Sequence, residues 1–428
     1  MKQVNLKWMA FLLCVICSSG IMMSCSDSKD ITGGGGTESA TDNQLVLTIN
    51  TAEPNSPQAS ALPNTLKNVK IGSRATTGTS NDKEDQINRL TVGIFSSDGS
   101  TVRTIQELSS GSGTGKFTTT SGTTTADIVT TSLANGDQIL VAANAPTGEF
   151  NGVQTATAFE SKTIGVDRAL ATPSSETAGS TEDGNDNIPM FGSGTISGSG
   201  TAYTASVQVQ HQLAKITLKS ITVAFDQAGP YKSATFKPTS YFLINVANDL
   251  AFSYVSWDAL AVSASKTYPA NQGFSSTTTT GLTDLDTYPY KEYLTTGTLA
   301  GASALSVSGT SSITPGNIFY ATPNVNTTDN TKLVIAGDFS ADGGTTTTPV
   351  YYPVNINWVY DPTTKTSSAA NNGGATAKAV YPNKNYVCTI VIKTKGSDTP
   401  YKPIDPEVAS ISVTVLPFTE ADQTTTFE

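Results

Sequence analysis

Apolar residues along this chain recur at every second position in short runs, separated by long stretches rich in Thr, Ser and Gly. No long segment carries the 3.6-residue spacing of an amphipathic helix, so the pattern predicts an all-β protein with long polar loops. The first run is Gln44–Ile49, in which Leu45, Leu47 and Ile49 share one strand face. It reads as an edge strand, followed by a loop broken by Pro54, Pro57 and Pro63. The next strand, Ile87–Phe95, places Leu90, Val92 and Ile94 together; the turn signal Ser97-Asp98-Gly99 then predicts a hairpin returning through Thr101–Ile105. Gln138–Ala145 is apolar at nearly every position, which predicts a strand covered on both faces.

The longest strand-like run is Val207–Phe225. Val207, Val209 and His211 share a phase, which slips to Ala214, Ile216 and Leu218 and slips again to Ile221, Val223 and Phe225. Each one-residue slip changes face, so a bulge or a crossing between sheets is expected here. The Gly/Ser-rich stretch Gly192–Gly200 precedes it, and the domain boundary is placed between residues 205 and 206. Further strands are expected at Tyr241–Val246, Ile318–Ala321, Lys332–Gly337, Val350–Trp358 and Tyr386–Ile392. The last, Ala409–Phe418, carries Ile411, Val413 and Val415 on one face. The opening strand reads Leu-x-Leu-x-Ile and the closing one Ile-x-Val-x-Val, so either could fill the same kind of groove: backbone pairing supplies affinity and the alternate side chains supply register. Alternation of this kind is also what two ordinary half-buried strands show.

The length of 428 residues suits two domains plus ends, at roughly 150 residues per domain. The formal charge is −10 and no basic cluster appears, which argues against nucleic acid as a partner. At the head of the chain, Lys2 and Lys7 precede an apolar segment, Trp8–Met23, that is short for a membrane span and reads as a leader over residues 1–24. Cys14 and Cys17 would leave with it. Only Cys25 and Cys388 then remain, and Cys388 alternates with Tyr386, Ile390 and Ile392 in a strand, so it reads as buried and unpaired and a disulfide framework is excluded. Gly33–Gly36 form a flexible leash. Arg74 is the first arginine of the chain; around it, through Asp85, there is no strong secondary-structure signal, so a trypsin-like or arginine-specific protease could thread the Arg74–Ala75 bond. Lys67 and Lys70 offer alternatives to a different protease.

Met22-Met23-Ser24-Cys25 resembles a bacterial lipoprotein signal, which implies lipidation of the Cys25 thiol. The acidic Ser26–Asp30 segment resembles the signal that sends Bacteroidetes lipoproteins to the cell surface. In order along the chain there come next the Leu45–Ile49 strand, the arginine, Leu90-Thr91-Val92-Gly93-Ile94-Phe95, Ile139–Asn144, His211-Gln212-Leu213-Ala214-Lys215-Ile216-Thr217, Tyr351-Tyr352-Pro353-Val354, Asn385-Tyr386 and a closing strand with a short polar tail. In that order and spacing the chain resembles the Bacteroidales type V pilins, the fimbrillin family of lipoprotein-derived fimbrial subunits. The resemblance implies two transthyretin-like β-sandwich domains, over residues 75–205 and 206–428, behind a propeptide over residues 25–74. It implies cleavage at Arg74–Ala75, loss of the Leu45, Leu47, Ile49 strand with its lipid, and its replacement by the Ile411, Val413, Val415 strand of another copy. The partners implied are further copies, accessory subunits, the protease, the outer membrane in the precursor, and a host glycan or protein. An accessory tip or anchor subunit, or a monomeric glycan-binding lipoprotein that keeps its first strand, are the rival readings. The segment between first strand and arginine is longer and richer in proline than the family's.

No catalytic residue, cofactor or metal is expected. The single histidine, His211, sits within a strand, and no phosphate-binding glycine loop connects a strand to a helix. The acidic loop Asp183–Asn187 has oxygen ligands suited to Ca²⁺ but lacks the spacing of a known binding loop, and reads as a solvated loop. Trp257, Trp358, Tyr351 and Tyr352 could line a sugar platform, or pack in the sheets.

Overall fold

The computed structural model describes residues 43–51, 84–165, 169, 187–252, 297–400 and 409–417, apart from gaps at 114, 121–122, 131, 201, 248, 300–301, 328–329, 362, 365 and 371–375. Cys25, Arg74, Ala75, Trp257 and most of the acidic loop before Asn187 lie outside them. Among the described residues the fold is nearly all β. In the first half the strands are β1 (Asn43–Thr51), β2 (Arg89–Phe95), β3 (Val102–Ser110), β4 (Lys116–Thr120), β5 (Thr123–Thr130), β6 (Gln138–Ala143), β7 (Thr163–Gly165), β8 (Met190–Thr195), β9 (Ser197–Ser199) and β10 (Ala202–His211), with one short helix, α1 (Ala156–Glu160). In the second half they are β11 (Ala214–Val223), β12 (Thr235–Ile244), β13 (Asp249–Ala251), β14 (Gly297–Thr298), β15 (Ser312–Ile313), β16 (Asn317–Ala321), β17 (Lys332–Ser340), β18 (Thr348–Asn355), β19 (Val359–Asp361), β20 (Thr366–Ser368), β21 (Lys384–Ile392) and β22 (Ala409–Pro417).

A nine-stranded sheet runs β1-β5-β4-β3-β2-β6-β8-β10-β9, and β1 pairs with β10 as well as with β5, so the hydrogen-bonded circuit closes on itself. Its interior is an apolar core built from alternate residues: Leu45, Leu47 and Ile49 of β1 meet Leu90, Val92 and Ile94 of β2, and Ile139 and Val141 of β6. The intervening residues of β2 and β6 face outward, yet Phe95, Leu140 and Ala142 are buried there against Phe150 and Phe159. Phe150 and Phe159 stack at 4.0 Å between ring centres. This double burial explains the continuous apolar run of β6. The glycines of β8 reflect the closeness of β10: a Cβ on Gly192 would lie 2.2 Å from the Gln208 carbonyl oxygen, so no larger residue fits.

The phase slip in Val207–Phe225 is a crossing between sheets. β10 ends at His211 in the nine-stranded sheet, and β11 begins at Ala214 in a five-stranded one, ordered β15-β11-β21-β22 with β16 also on β11. The second slip is a bulge in β11 between Leu218 and Ser220, opposite β21. A four-stranded sheet, β14-β12-β17-β18, faces the five-stranded one across a second apolar core that includes Ile216, Phe242, Ile335, Tyr352 and Ile390. Cys388 is fully buried there, and that burial pushes its thiol up to about 12, which suits an inert core residue. Tyr351 and Tyr352 are buried rather than forming a platform.

Candidate functional site

The opening strand occupies a two-sided slot. Gln44–Thr51 pairs in parallel with Ala202–Val209 of β10, and Asn43–Asn50 pairs antiparallel with Thr123–Thr130 of β5. The expected edge strand is thus an interior strand, hydrogen-bonded along both sides; its partners lie far away in sequence, where local periodicity carries no trace of them. Leu45, Leu47 and Ile49 are each 0% exposed. Leu45 lies between Ile128 and Tyr203, Leu47 between Ala126 and Ala205, and Ile49 between Thr124 and Val207. The middle position, flanked by two alanines, has room for a large aliphatic side chain.

The closing strand is placed differently. Among the described residues β22 pairs with β21 alone, from Lys384 opposite Pro417 to Ile392 opposite Ala409, and ends the sheet. Ile411, Val413 and Val415 stand opposite Ile390, Cys388 and Tyr386. β1 and β22 are each nine residues long.

The chain re-enters the described fold at Glu84, where it is pinned at successive residues. Glu84 is buried, and its Oε1 accepts from Lys215 Nζ at 2.7 Å and from the Tyr320 hydroxyl. The Glu84 backbone oxygen lies 2.9 Å from His211 Nε2, and Asp85 Oδ1 lies 3.3 Å from the same nitrogen. His211 Nδ1 faces Asn383 Oδ1 at 3.4 Å. Asn144, at φ 57° just after β6, donates to Gln86 O and Ile188 O and accepts from Asn88 N. Its left-handed backbone, one that asparagine tolerates, turns the side chain back to tie the approaches to β2 and β8 to the end of β6.

Sequence reasoning does not find this cluster, because Glu84 and Asp85 sit in an unremarkable polar stretch. Lys215, a cation inside the apolar run Leu213–Ile216, is the available signal. His211 faces acceptors from both ring nitrogens, which favours the imidazolium. Burial pushes its pKa down, but the hydrogen bond and charge of Asp85, helped by Glu84, outweigh this and raise it above the ordinary 6.5. The protonated ring therefore stabilises the fold fully below pH 6.5, and that contribution is lost as pH rises through the raised value. Urea midpoints of the protein are expected to fall between about pH 6 and about pH 9 more steeply than those of His211→Gln. Parallel profiles would show that folding does not shift the pKa of the ring.

His211 and Cys388 do not meet as a catalytic pair: each is buried in its own surroundings, His211 among the Glu84, Asp85 and Asn383 acceptors and Cys388 donating to the Tyr386 carbonyl at 3.6 Å. Among the described residues no group of three His, Cys, Asp or Glu side chains could hold a metal ion.

A strand held on both sides in a slot, behind a pinned re-entry of the chain, can be compared with known proteins. Residues 64–211 match the family of the major fimbrial subunit protein (FimA). The FimA match takes in β2 to β10, and so both walls of the slot and the pinned segment; β1 and everything from β11 onward lie outside it. Among solved structures, a fimbrilin from Porphyromonas gingivalis W83 is similar with a TM-score of 0.50 at 14% identity, over 90% of this chain and 100% of its own. A candidate cell adhesion protein from Parabacteroides distasonis ATCC 8503 gives 0.53 at 14% identity, over 89% and 99%. Another, from Bacteroides eggerthii DSM 20697, gives 0.51 at 18%, over 88% and 96%. At such identities the likeness is one of fold. No curated protein sequence matches the chain.

Proposed function

We propose that the protein is a structural subunit of a cell-surface fimbria that polymerises by donor-strand exchange after proteolytic loss of its first strand. The observation that carries this reading is the contrast between its two terminal strands. β1 fills a slot bounded on both sides, whereas β22, of the same length, sits at an edge with one partner. A strand moving from an edge into such a slot exchanges one ladder for two, and alternate aliphatic side chains enter a closed core. Three buried aliphatic side chains contribute roughly 1.5–3 kcal/mol each before the cost of ordering the strand. The FimA match over the slot walls and the fimbrilin fold support the same reading.

In this scheme Cys25 carries the lipid that holds the precursor at the outer membrane, and Leu45, Leu47 and Ile49 fill the slot during export. Cleavage at Arg74–Ala75 by an arginine-specific or trypsin-like protease releases them. The strand of Ile411, Val413 and Val415 from a second copy replaces them, and the head-to-tail contact propagates as an extracellular filament that supports adhesion. The pinned segment at Glu84–Asn88 supports this division of the chain, since it ties down the residues just beyond the cut. N-terminal sequencing of material shed from the surface is expected to read from Ala75, in heat-resistant ladders. Recovery of a monomer alone, lipidated at Cys25 and with β1 retained, would overturn the proposal in favour of a surface lipoprotein that keeps its first strand.

A further inference from the structure

The walls of the β1 slot are not equally attached. β10 is held on its far side by β8 at Gln210 and His211 and by β9 at Ala202–Thr204, and Gly192 of β8 packs directly on its backbone. The opposite wall is the β4–β5 hairpin. On its outer side β4 joins β3, among the described residues, at two positions only, Ser109 opposite Lys116 and Ser110 opposite Phe117. Gly111 N donates to Phe117 O at 2.9 Å and Lys116 Nζ donates to Ser109 Oγ, which completes that seam. Thr118, Thr119 and Thr120 run beyond it, paired only with β5. Along its whole length β5 has β1 as its other partner. The nine-stranded circuit is therefore continuous past this hairpin chiefly because β1 bridges β5 to β10.

The ends of the hairpin are fixed. At its base Tyr203 donates to the Leu133 carbonyl at 3.1 Å, and Gly136 N donates to Ile196 O at 2.9 Å. On the β4 side of the same base stands the short seam to β3. The outer face of β4 is exposed, and its inward side chain, Phe117, shares the interior core with Leu45, Leu47 and Ile49.

We propose that the β4–β5 hairpin is a movable jaw of the slot, released when β1 leaves and closed again by the strand that takes its place. The slot is then not a rigid trough waiting in the sheet. An incoming extended segment with aliphatic side chains at alternate positions pairs first with the fixed wall, β10, and draws the hairpin in with Ala126 and Ile128 against it. Release of the jaw leaves Phe117 and the interior core partly uncovered, so an unoccupied subunit is short-lived, and exchange proceeds with the leaving and entering strands overlapping. This inference rests on the donor-strand reading for the identity of the entering strand, but the mobility of the jaw is independent of it.

Hydrogen exchange by mass spectrometry on the full chain tests it, comparing the protein with Leu47→Asp and the milder Leu47→Ala, which loosen β1 and leave the hairpin's own residues unchanged. Exchange in residues 117–130 is expected to rise about tenfold or more together with that of β1, while β2, β6 and β8 keep their protection, as for a separate unit of local opening. Hairpin protection unchanged beside a loosened β1 would overturn the proposal, as would a uniform rise through the whole sheet in Leu47→Ala. A cross-link across the seam, Ser109→Cys with Lys116→Cys, is expected to restore protection to 117–130 in Leu47→Ala; failure to do so would also count against the jaw. A synthetic peptide spanning Ala409–Phe418, added to Leu47→Asp, addresses the other reading. If the hairpin opens and the peptide does not close it, the jaw stands and the donor strand has been misassigned.

Discussion

Replacing Lys215 with methionine is expected to destabilise the protein by about 3–5 kcal/mol, the range for breaking a buried ion pair from one side. The side chains of Lys215 and Glu84 are only 11% and 5% exposed, and their charged atoms meet at 2.7 Å. Methionine keeps the length and apolar stem of lysine, so the loss comes from the carboxylate left behind with the Tyr320 hydroxyl still donating to it. Glu84→Gln in the same background removes that stranded charge and is expected to recover a large part of the loss, a coupling of about 0.5–3 kcal/mol. Urea unfolding of the four proteins of this cycle measures it. A loss below about 1 kcal/mol for Lys215→Met would mean that the pair behaves like a solvated surface bridge. The same cycle bears on processing: with Glu84 released, the flanking basic residues Lys83 and Arg89 are expected to become secondary sites for a trypsin-like protease, and the mature N-terminus to lose its definition.

The placement of that cluster shows where the chain is readable and where it is not. Alternation locates β1, β2 and β22, the largely apolar run of Gln138–Ala145 announces a strand buried on both faces, and the phase slips after His211 announce a crossing and a bulge. These are local properties, set by which face each side chain occupies. Pairing partners are not local. Leu47 between Ala126 and Ala205 brings together three distant segments, and nothing in Leu-x-Leu-x-Ile distinguishes a strand with two partners from one with a single partner. The polar cluster is hidden for the same reason: Glu84 gains its meaning from Lys215 and Tyr320, which stand on neighbouring strands β11 and β16. The lone histidine is legible as part of a strand, but its role as a tie between β10 and the chain at Glu84 and Asp85 emerges only in three dimensions.

Deleting Ala409–Glu428 is expected to abolish heat-resistant ladders altogether while leaving the slot and its core in place. β22 ends its sheet, so its removal exposes one edge of β21 and breaks no circuit, whereas removal of β1 opens a closed one. On the donor-strand proposal, the truncated copy keeps a slot that can accept a strand and has none to give. In the proposed head-to-tail contact, each subunit must do both for a filament to grow. Expressed beside the intact protein, the truncated copy is therefore expected to cap growing filaments and shorten them in proportion to its share, which electron microscopy of negatively stained cells can measure. A closed or two-fold contact predicts a different result: mixed dimers of fixed size, with no dependence of length on the ratio. Ladders that persist in the deletion strain would remove β22 as the donor and direct attention to another edge, whereas unchanged filament lengths in mixed cells would show that the truncated copy no longer accepts a strand. The deletion separates giving from receiving, the two capacities that donor-strand exchange places at opposite ends of one chain.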